Sequence, residues 1–230
     1  MIPAGQARQL DNPVWYSLTG RHRRFAVGSS SALRYPADMS PFFALPDAMT
    51  PESWNAAAEL LDDQPPGLFH QDVEIPAGWT IDSTLDVVQM ITENPIGVID
   101  ARATLLTGDD LPPMLRLADE AKPGPFGPRT PLLGDFHGIF LDGVLAAMAG
   151  ERFHVDGWTE ISAVATSPRH RGQGLASALI RHVAATIETR HERAFLHVVE
   201  SNPALGLYEH IGFTQRRTAP VRRLAPPRTS

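Results

Sequence analysis

A glycine-rich segment between a strand pattern and a helix pattern is the part of the sequence best suited to chemistry. It reads Ser167-Pro168-Arg169-His170-Arg171-Gly172-Gln173-Gly174-Leu175-Ala176. Glycine adopts positive φ and lets the backbone approach a ligand closely. The first amides of the following helix lack intrahelical partners and, with the helix dipole, favour a phosphate group. Because Arg171 adds a planar set of charged donors, the segment predicts a pyrophosphate site.

Two common nucleotide-binding loops are absent from the sequence. No Gly-x-x-x-x-Gly-Lys-Ser/Thr pattern occurs, and a Gly-x-Gly-x-x-Gly loop would need a third glycine where Ser177 stands. The Gly-x-Ser-x-Gly elbow of serine hydrolases is also missing. The segment is therefore either a short anion-binding loop or a glycine-rich turn with a structural role alone.

Apolar spacing predicts alternating strands and helices from about residue 94 onward. Asp142-Gly143 separates two apolar runs by two residues, which is a strong hairpin signal. Apolar residues recur at every fourth position from Leu175 to Ile187, as on one face of a helix. The predicted strands cover residues 96–107, 136–141, 144–153, 158–166 and 194–200, and a last strand begins at 213. Three helices are predicted: one capped by Asp109 and Asp110 that ends at 121, one at 175–189 and one at 202–210.

The strand predicted at 158–166 leads directly into the loop. Simple alternation divides it into two faces, one with Ile161, Ala163 and Ala165 and the other with Glu160, Ser162, Val164 and Thr166. A helical crossover joins this strand to the strand at 194–200, so the two are predicted to be parallel neighbours. The order of elements indicates a mixed α/β fold.

A second motif follows the strand at 194–200. From Ser201 to Phe213 the sequence reads SNPALGLYEHIGF, which places Tyr208 on a short helix. With the loop, this motif makes residues 158–213 resemble the GNAT acetyltransferase superfamily, whose loop reads Gln/Arg-x-x-Gly-x-Gly/Ala and whose later helix ends Leu-Tyr-x-x-x-Gly-Phe. Two loop registers fit, Arg169-x-x-Gly172-x-Gly174 and Arg171-x-x-Gly174-x-Ala176, and the position of Pro168 favours the second. The likeness covers about residues 96–225 and is closest to a poorly characterised, bacterial-looking branch.

The resemblance implies a fold, a cofactor and a set of contacts. The fold is a mixed, mostly antiparallel, twisted sheet with flanking helices, and the cofactor is acetyl-coenzyme A (acetyl-CoA). The implied pantetheine contacts are the backbones of Val164, Ala165 and Thr166, and the implied pyrophosphate contacts are Arg171, Gly172, Gln173, Gly174, Leu175, Ala176 and Ser177. The family's asparagine, seven residues before the tyrosine, corresponds to Ser201, with Asn202 one residue later. Both are therefore candidates for the cofactor contact.

Acyl transfer from a thioester to an amine needs a proton acceptor for the amine and a proton donor for the departing thiolate. The resemblance implies that Tyr208 is the donor, and a packed aromatic residue is the alternative. Glu160 is the predicted base, acting through water because about 13 Å of ideal strand separates it from the thioester contact. The alternative for Glu160 is an ion pair with Arg152 across the hairpin. His154 and His197 are weaker candidates, since a histidine in an apolar run usually belongs to the core.

The resemblance implies that the loop KPGPFGPRT at residues 122–130 covers the acceptor. Phe126 offers a flat apolar wall, Arg129 offers a contact for a carboxylate, and Arg152 is a third candidate acceptor contact. A proline-stiffened connector is the alternative. No spacing of His, Asp and Glu resembles a metal site.

Residues 1–95 lack a comparable motif and are predicted to form an N-terminal α+β region ahead of the GNAT-like domain at 96–230. Their strands within 24–35 and 40–45, helix at 50–61 and apolar run at 67–69 repeat the order of the second half. Arg34-Tyr35 also lies 118 residues before Arg152-Phe153. These observations suggest a degenerate copy without the glycine loop or a cofactor site, with Phe42 at the position of Glu160. An unrelated α+β cap is the alternative.

Composition and net charge argue against several other classes of function. The 230 residues carry a net charge of −6 and no cysteine, which excludes a thiol nucleophile and disulfides and argues against a nucleic-acid partner. No apolar run reaches the ~20 residues of a membrane span, so a cytoplasmic protein without a membrane partner is expected. The predicted function is transfer of an acetyl group to the primary amine of a small molecule or peptide, by direct attack in a ternary complex, in a monomer or homodimer. The alternative is a non-catalytic module that binds acyl-CoA or a partner.

Overall fold

The computed structural model describes residues 2–61, 66–69 and 73–227, which form one eleven-stranded sheet and six α-helices. The strands are β1 (Val27–Gly28), β2 (Leu33–Arg34), β3 (Phe42–Ala44), β4 (Gly67–Phe69), β5 (Thr80–Thr92), β6 (Ala103–Leu105), β7 (Phe136–Leu141), β8 (Val144–Val155), β9 (Trp158–Thr166), β10 (Arg193–Val199) and β11 (Phe213–Ala225). The helices are α1 (Ala4–Asp11), α2 (Pro13–Thr19), α3 (Pro51–Leu60), α4 (Leu111–Ala121), α5 (Leu175–Glu188) and α6 (Leu205–Ile211).

The sheet is mostly antiparallel, as the resemblance implied. Its strand order is β1-β2-β3-β4-β11-β5-β10-β9-β8-β7-β6. Among the described strand pairs, only β3 with β4 and β9 with β10 are parallel. Each of these pairs is joined by a crossover helix, α3 in the first case and α5 in the second. The predicted parallel pairing of the strands at 158–166 and 194–200 is therefore confirmed.

The topology repeats about the two long central strands, β5 and β11. On one side, β1, β2 and β3 lead through α3 to β4, which pairs with β11; on the other, β7, β8 and β9 lead through α5 to β10, which pairs with β5. The two predicted regions share one sheet, because β5 from the first region pairs with β10 from the second. The order matches the proposed internal copy, and common ancestry of the halves stays a prediction.

Helices cover both faces of the sheet. On one face α5 buries Leu179, Ile180 and Val183 against the central strands. On the other face α1 and α2 bury Leu10 and Val14 against β5, β8 and β10. Full burial of such side chains stabilises the fold by about 1.5–3 kcal/mol each. None of the described helices is both long enough and apolar enough to cross a membrane.

The strongest local signals of the sequence are confirmed. Strand β9 has the predicted bounds, and α5 begins at the predicted residue. Asp142 and Gly143 have φ values of 50° and 75°, as a two-residue hairpin turn with two left-handed positions requires. A turn of this kind joins β7 to β8 and aligns Leu141 with Val144.

The predicted strand at 96–107 is wrong except for its last part, since only Ala103–Leu105 forms a strand. The preceding residues dock on α5 instead: the amides of Ile96 and Gly97 donate to the Glu188 carboxylate at 2.8 and 3.0 Å. A Cβ on Gly97 would lie 2.4 Å from the Ala185 backbone, so only glycine permits this contact.

The predicted cap of the helix that ends at 121 also differs. The Asp110 carboxylate accepts from the Thr107 amide and closes a 3-10 turn ahead of α4.

A β-bulge in β9 overturns the predicted division of its faces. Ser162 pairs with Gly150 and Ala165 with Met148, so β9 advances three residues while β8 advances two. The extra residue is accommodated at Ala163, whose φ is 51°. Beyond the bulge the alternation is inverted. Ile161 and Val164 therefore pack in the α5 cluster, while Ala163 and Ala165 pack with residues of α4.

Two buried histidines connect the halves of the sheet. The rings of His22 and His154 are 4.9 Å apart, and the Nε2 of each donates to the Leu133 carbonyl at 2.8 and 2.9 Å. A neutral imidazole carries one N–H, so Nδ1 of His22 accepts from the Tyr35 hydroxyl. Burial lowers the pKa of His22 to about 4 and that of His154 to about 3.

These two histidines are expected to make the fold acid-sensitive. Their folded pKa values lie below the unfolded value of about 6.5, so the unfolded state binds more protons as the pH falls. Each histidine should remove about 2 kcal/mol of unfolding free energy between pH 7 and pH 5. Urea unfolding across this pH range should show the loss of unfolding free energy. In His22→Gln that loss should be smaller by about the contribution of one histidine. His191→Gln, at an exposed position, should leave the loss unchanged, and parallel curves for all three proteins would contradict this account.

Candidate active site

The parallel strands β9 and β10 separate after a short common stretch. They pair at Arg193 with Trp158, Ala194 with Thr159 and Phe195 with Glu160, and at no later residue. Beyond this row β9 continues along β8 to Thr166, while β10 continues along β5 to Val199. The separation leaves the β10-facing edge of residues 161–166 without a strand partner.

A cleft of about 1130 Å³ opens at this separation. Its walls include the bulged part of β9, the outer part of β10, the loop that precedes α5 and the start of α6. The predicted cofactor contacts among its lining residues are Val164, Ala165, Thr166, Arg171, Ala176 and Asn202. The fold therefore brings residues from both sequence motifs to one cavity.

The glycine loop presents free backbone amides beside this cleft. Gly172 and Gly174 have φ values of 76° and 73°, and a Cβ at either position would meet no atom within 4 Å. Gly174 is the residue before α5, where no side chain caps the helix. The first intrahelical bond is donated by Ala178 to the Gly174 carbonyl, which leaves the amides of residues 175–177 available.

The side chains of the loop differ in their placement. Arg171, Gly172, Gln173 and Gly174 are exposed, Ala176 and Ser177 are half-buried, and Leu175 is buried in the core, so only its amide is available. The hydroxyl of Thr166 is buried in the cleft wall without a hydrogen-bond partner among the described residues. Open glycines, free amides and an unpaired hydroxyl together fit the diphosphate and pantetheine of a coenzyme A ester.

Tyr208 lies on α6 at the edge of the same cleft. Its ring packs edge-to-face against Phe213, with centroids 6.2 Å apart. No described residue makes a hydrogen bond with its hydroxyl. Burial raises the pKa of that hydroxyl, so it remains protonated at neutral pH. Nearby, Asn202 lines the cleft and its side-chain oxygen accepts from the Ala204 amide, whereas Ser201 does not line the cleft.

Glu160 is fully buried at the point where β9 and β10 separate. Arg152 donates to both of its oxygens at 2.8 and 2.7 Å, and Nδ1 of His197 donates to one of them at 2.7 Å. Burial alone would raise the pKa of the Glu160 carboxyl, but the charge and hydrogen bonds of Arg152 and the bond from His197 lower it to about 2. A carboxylate so paired is a weak proton acceptor, which argues against the predicted role as general base.

The ring nitrogens of His197 also have hydrogen-bond partners. The Gln89 amide nitrogen lies 2.7 Å from the Leu10 carbonyl and 3.0 Å from Nε2 of His197, while its oxygen accepts from Arg216 at 2.7 Å. Because arginine only donates and a carbonyl only accepts, this amide must donate to His197. Both ring nitrogens of His197 are therefore hydrogen-bonded, with Nδ1 as the donor to Glu160 and Nε2 as the acceptor from Gln89.

The three predicted acceptor contacts lie elsewhere or are already paired. Phe126 packs against Phe136 with ring centroids 5.7 Å apart, and it does not line the cleft. Arg129 pairs with Asp38 at 3.5 Å and is also outside the cleft. Arg152 does line the cleft, but its guanidinium is bound to Glu160. Of the loop at 122–130, only residues 122–125 reach the cleft, because Thr130 anchors the remainder to the Met39 carbonyl.

Sequence reasoning missed the wall that the first half of the chain supplies. Phe42 and Phe69 line the cleft, with ring centroids 4.7 Å apart, and Val87 and Val221 continue the surface on β5 and β11. The short apolar runs around Phe42 and Phe69 indicated strands but no position relative to the loop. Only the pairing of β4 with β11 brings them beside it.

Comparisons with known proteins agree with this geometry. The family model described as FR47-like protein matches residues 137–222. A structure from Novosphingobium aromaticivorans, named as an acetyltransferase of the GNAT family, is 35% identical with a TM-score of 0.85, covering 94% of this chain and 98% of that chain. A GCN5-related N-acetyltransferase from Kribbella flavida is 18% identical with a TM-score of 0.61, covering 97% and 96%, and shares the fold. No curated protein sequence matches the chain.

The identity of 35% extends over nearly the whole chain, so the chain belongs to the GNAT acetyltransferase family. The predicted resemblance and fold class are thereby confirmed. Both halves of the sheet fall within the matched region, since the comparison covers 94% of this chain.

The Glu160–Arg152 pair is expected to be a strong structural interaction. Glu160→Gln leaves a nearly buried guanidinium without its counter-charge, which typically costs about 3–5 kcal/mol. Arg152→Gln leaves the carboxylate unpaired and should cost a similar amount. The double variant should lose much less than the sum of the two, and urea unfolding of the four proteins measures this coupling. Additive losses would show that the pair does not act as a unit.

Proposed function

We propose that this protein transfers an acetyl group from acetyl-CoA to a primary amine by direct attack within a ternary complex. The observation that carries the proposal is the open edge of β9 beside the free amides of residues 175–177. When bound, acetyl-CoA supplies the activated acyl carbon. The residues of the cleft bind and orient the two reactants and supply a proton donor for the thiolate.

The loop holds the phosphates and β9 holds the thioester arm. Gly172, Gly174 and the amides that follow bind the diphosphate, with Arg171 as the charged contact. A backbone amide at Val164 or Ala165 hydrogen-bonds the acyl oxygen as it gains charge, and such preorganised donors stabilise transition states strongly. Correct orientation of the two reactants contributes a further ~7–11 kcal/mol in favourable cases.

In this proposal the C–N bond forms as the C–S bond breaks, and Tyr208 donates a proton to the departing thiolate. The proton that the attacking nitrogen must lose returns to the Tyr208 oxygen, so the site ends the reaction in its starting state. The Tyr208 hydroxyl has no competing partner among the described residues, and its raised pKa keeps the proton in place until the thiolate forms. Asn202 provides a further cofactor contact beside it. Glu160 acts as a positioning residue, because its carboxylate fixes Arg152 and His197 in the wall of the cleft.

Gly174→Glu should abolish cofactor binding. The new side chain would enter the phosphate site with a negative charge, and the left-handed φ of 73° is unfavourable for any residue with a Cβ. Isothermal titration calorimetry with acetyl-CoA should show affinity at least 100-fold weaker.

Gly206→Glu is the matched control, at an exposed glycine of α6 with open space around it. Its affinity for acetyl-CoA should remain unchanged. Thermal melts of both variants separate a loss of binding from a loss of folding. A folded Gly174→Glu protein with full affinity would place the diphosphate elsewhere.

Tyr208→Phe should lower kcat at least tenfold while leaving the Kd for acetyl-CoA within twofold. The substitution keeps the aromatic packing against Phe213 and removes only the proton donor. Release of free thiol over an amine panel gives kcat, and calorimetry gives Kd. Unchanged turnover would exclude Tyr208 as the acid, and cofactor binding without turnover of any amine in the wild-type protein would favour the non-catalytic module.

A further inference from the structure

The charges that line the cleft are all of one sign. Within the described part of the chain, its titratable lining residues are Lys122, Arg152, Arg171, His197, Tyr208 and Arg223. No Asp or Glu of the described residues is among them, although acids outnumber bases in the protein as a whole. Three of the cations pair with acids that lie outside the lining, Lys122 with Asp119, Arg152 with Glu160 and Arg223 with Asp82. A second ammonium group on an acceptor would therefore find no lining carboxylate among the described residues, and a buried charge without a partner is unfavourable.

None of these lining groups offers a free proton acceptor. Lysine and arginine side chains only donate hydrogen bonds, both ring nitrogens of His197 have partners, and the raised pKa of Tyr208 keeps its hydroxyl protonated. The charged or titratable groups that face His197 are Glu160, Arg152 behind Glu160, and Arg216 behind Gln89. Because Nε2 of His197 already accepts from the Gln89 amide and Nδ1 donates to Glu160, neither nitrogen is free to contact an acceptor. An amine that enters as an ammonium ion thus finds no free side chain to take its proton among the described residues that line the cleft.

The cleft lining beyond Glu160 is mostly apolar over several strands, with Ser83, Thr84 and Arg223 as its polar members. Register pairs place Val199 beside Val87, Leu85 beside Val221, and Val221 beside Phe69, with Phe42 against Phe69. Four adjacent strands at about 4.8 Å spacing make this floor roughly 15 Å wide. Such a floor fits an extended apolar body better than a compact polar one.

We infer that the acceptor is a weakly basic primary amine, such as the α-amino group of a peptide or amino-acid amide, on an apolar body without further positive charge. The inference rests on the proposed function and adds the class of substrate. It excludes polyamines and other polycations as preferred acceptors.

The basicity of the amine has a large expected effect. At pH 7.5 about a quarter of an α-amine with pKa near 8 is neutral, against about one part in 800 of a lysine-type amine with pKa near 10.4. Without a base in the cleft, kcat/KM measured on total amine should follow this neutral fraction. The difference amounts to roughly 200-fold for otherwise equal acceptors.

A matched pair of acceptors tests this dependence. Phenylalanine amide and 2-phenylethylamine share the aromatic body and differ in amine basicity, and spermidine serves as the polycation. At pH 7.5 phenylalanine amide should exceed 2-phenylethylamine at least tenfold in kcat/KM, and the ratio should shrink as the pH rises to 9.5. When kcat/KM is divided by the neutral fraction of each amine, the values for phenylalanine amide and 2-phenylethylamine should agree within a few fold at every pH. Spermidine should be the poorest acceptor.

A pair of variants tests the apolar floor. Leu85 lines the cleft, whereas Ile81 on the same strand does not, and both side chains are 48% exposed. Leu85→Asp should lower kcat/KM for phenylalanine amide at least tenfold and raise it for spermidine, with an unchanged Kd for acetyl-CoA. Ile81→Asp should change none of these values.

The outcomes separate this inference from the proposed function. Absence of acetyl-CoA binding, or of thiol release with every amine, would overturn the proposed function and the inference with it. Turnover that favours spermidine, or a phenylalanine amide to 2-phenylethylamine ratio near one at all pH values, would overturn the inference alone. Equal effects of Leu85→Asp and Ile81→Asp would show that the apolar floor does not bind the acceptor. That result would overturn the part of the inference that concerns the apolar body.

Discussion

The separation of β9 from β10 is the constraint on which the rest of the site depends. The two parallel strands share three rows, up to Phe195 with Glu160, and each is then held by its other neighbour. Backbone groups left open in this way need new partners, because an unpaired buried amide costs about as much as a lost hydrogen bond. The cleft therefore offers a hydrogen-bonding edge to an extended ligand without disturbing the remainder of the sheet.

The charged groups buried at this separation are hydrogen-bonded to one another. Arg152 and His197 both donate to Glu160, and Gln89 donates to His197. Each polar atom in this hydrogen-bond network has one fixed role as donor or acceptor, since the arginines at its two ends only donate. The network that holds the strand ends in place thus hydrogen-bonds Glu160 and His197, the side chains that sequence reasoning would choose as bases. In the proposed reaction, binding and orientation are therefore the main contributions of the site.

The two halves of the sheet share a topology but begin their crossover helices differently. In α3, Thr50 caps the helix by accepting from the Ser53 amide, and Pro51 follows it. In α5, the uncapped Gly174 leaves the first amides free. One half thereby has the elements of a phosphate site, and the other contributes an apolar wall through Phe42 and Phe69.

Local patterns in the sequence determined β7, β8, β9, the hairpin at Asp142-Gly143, α5 and the glycine loop, because periodicity and turn residues act over a few neighbouring positions. The tertiary structure decided the bulge at Ala163, which inverts the faces of β9 and depends on pairing with β8. It also decided that Glu160 is paired rather than free, and that β4, β5 and β11 complete the cleft. These features arise from contacts between residues far apart in the chain, and no short-range pattern encodes such contacts.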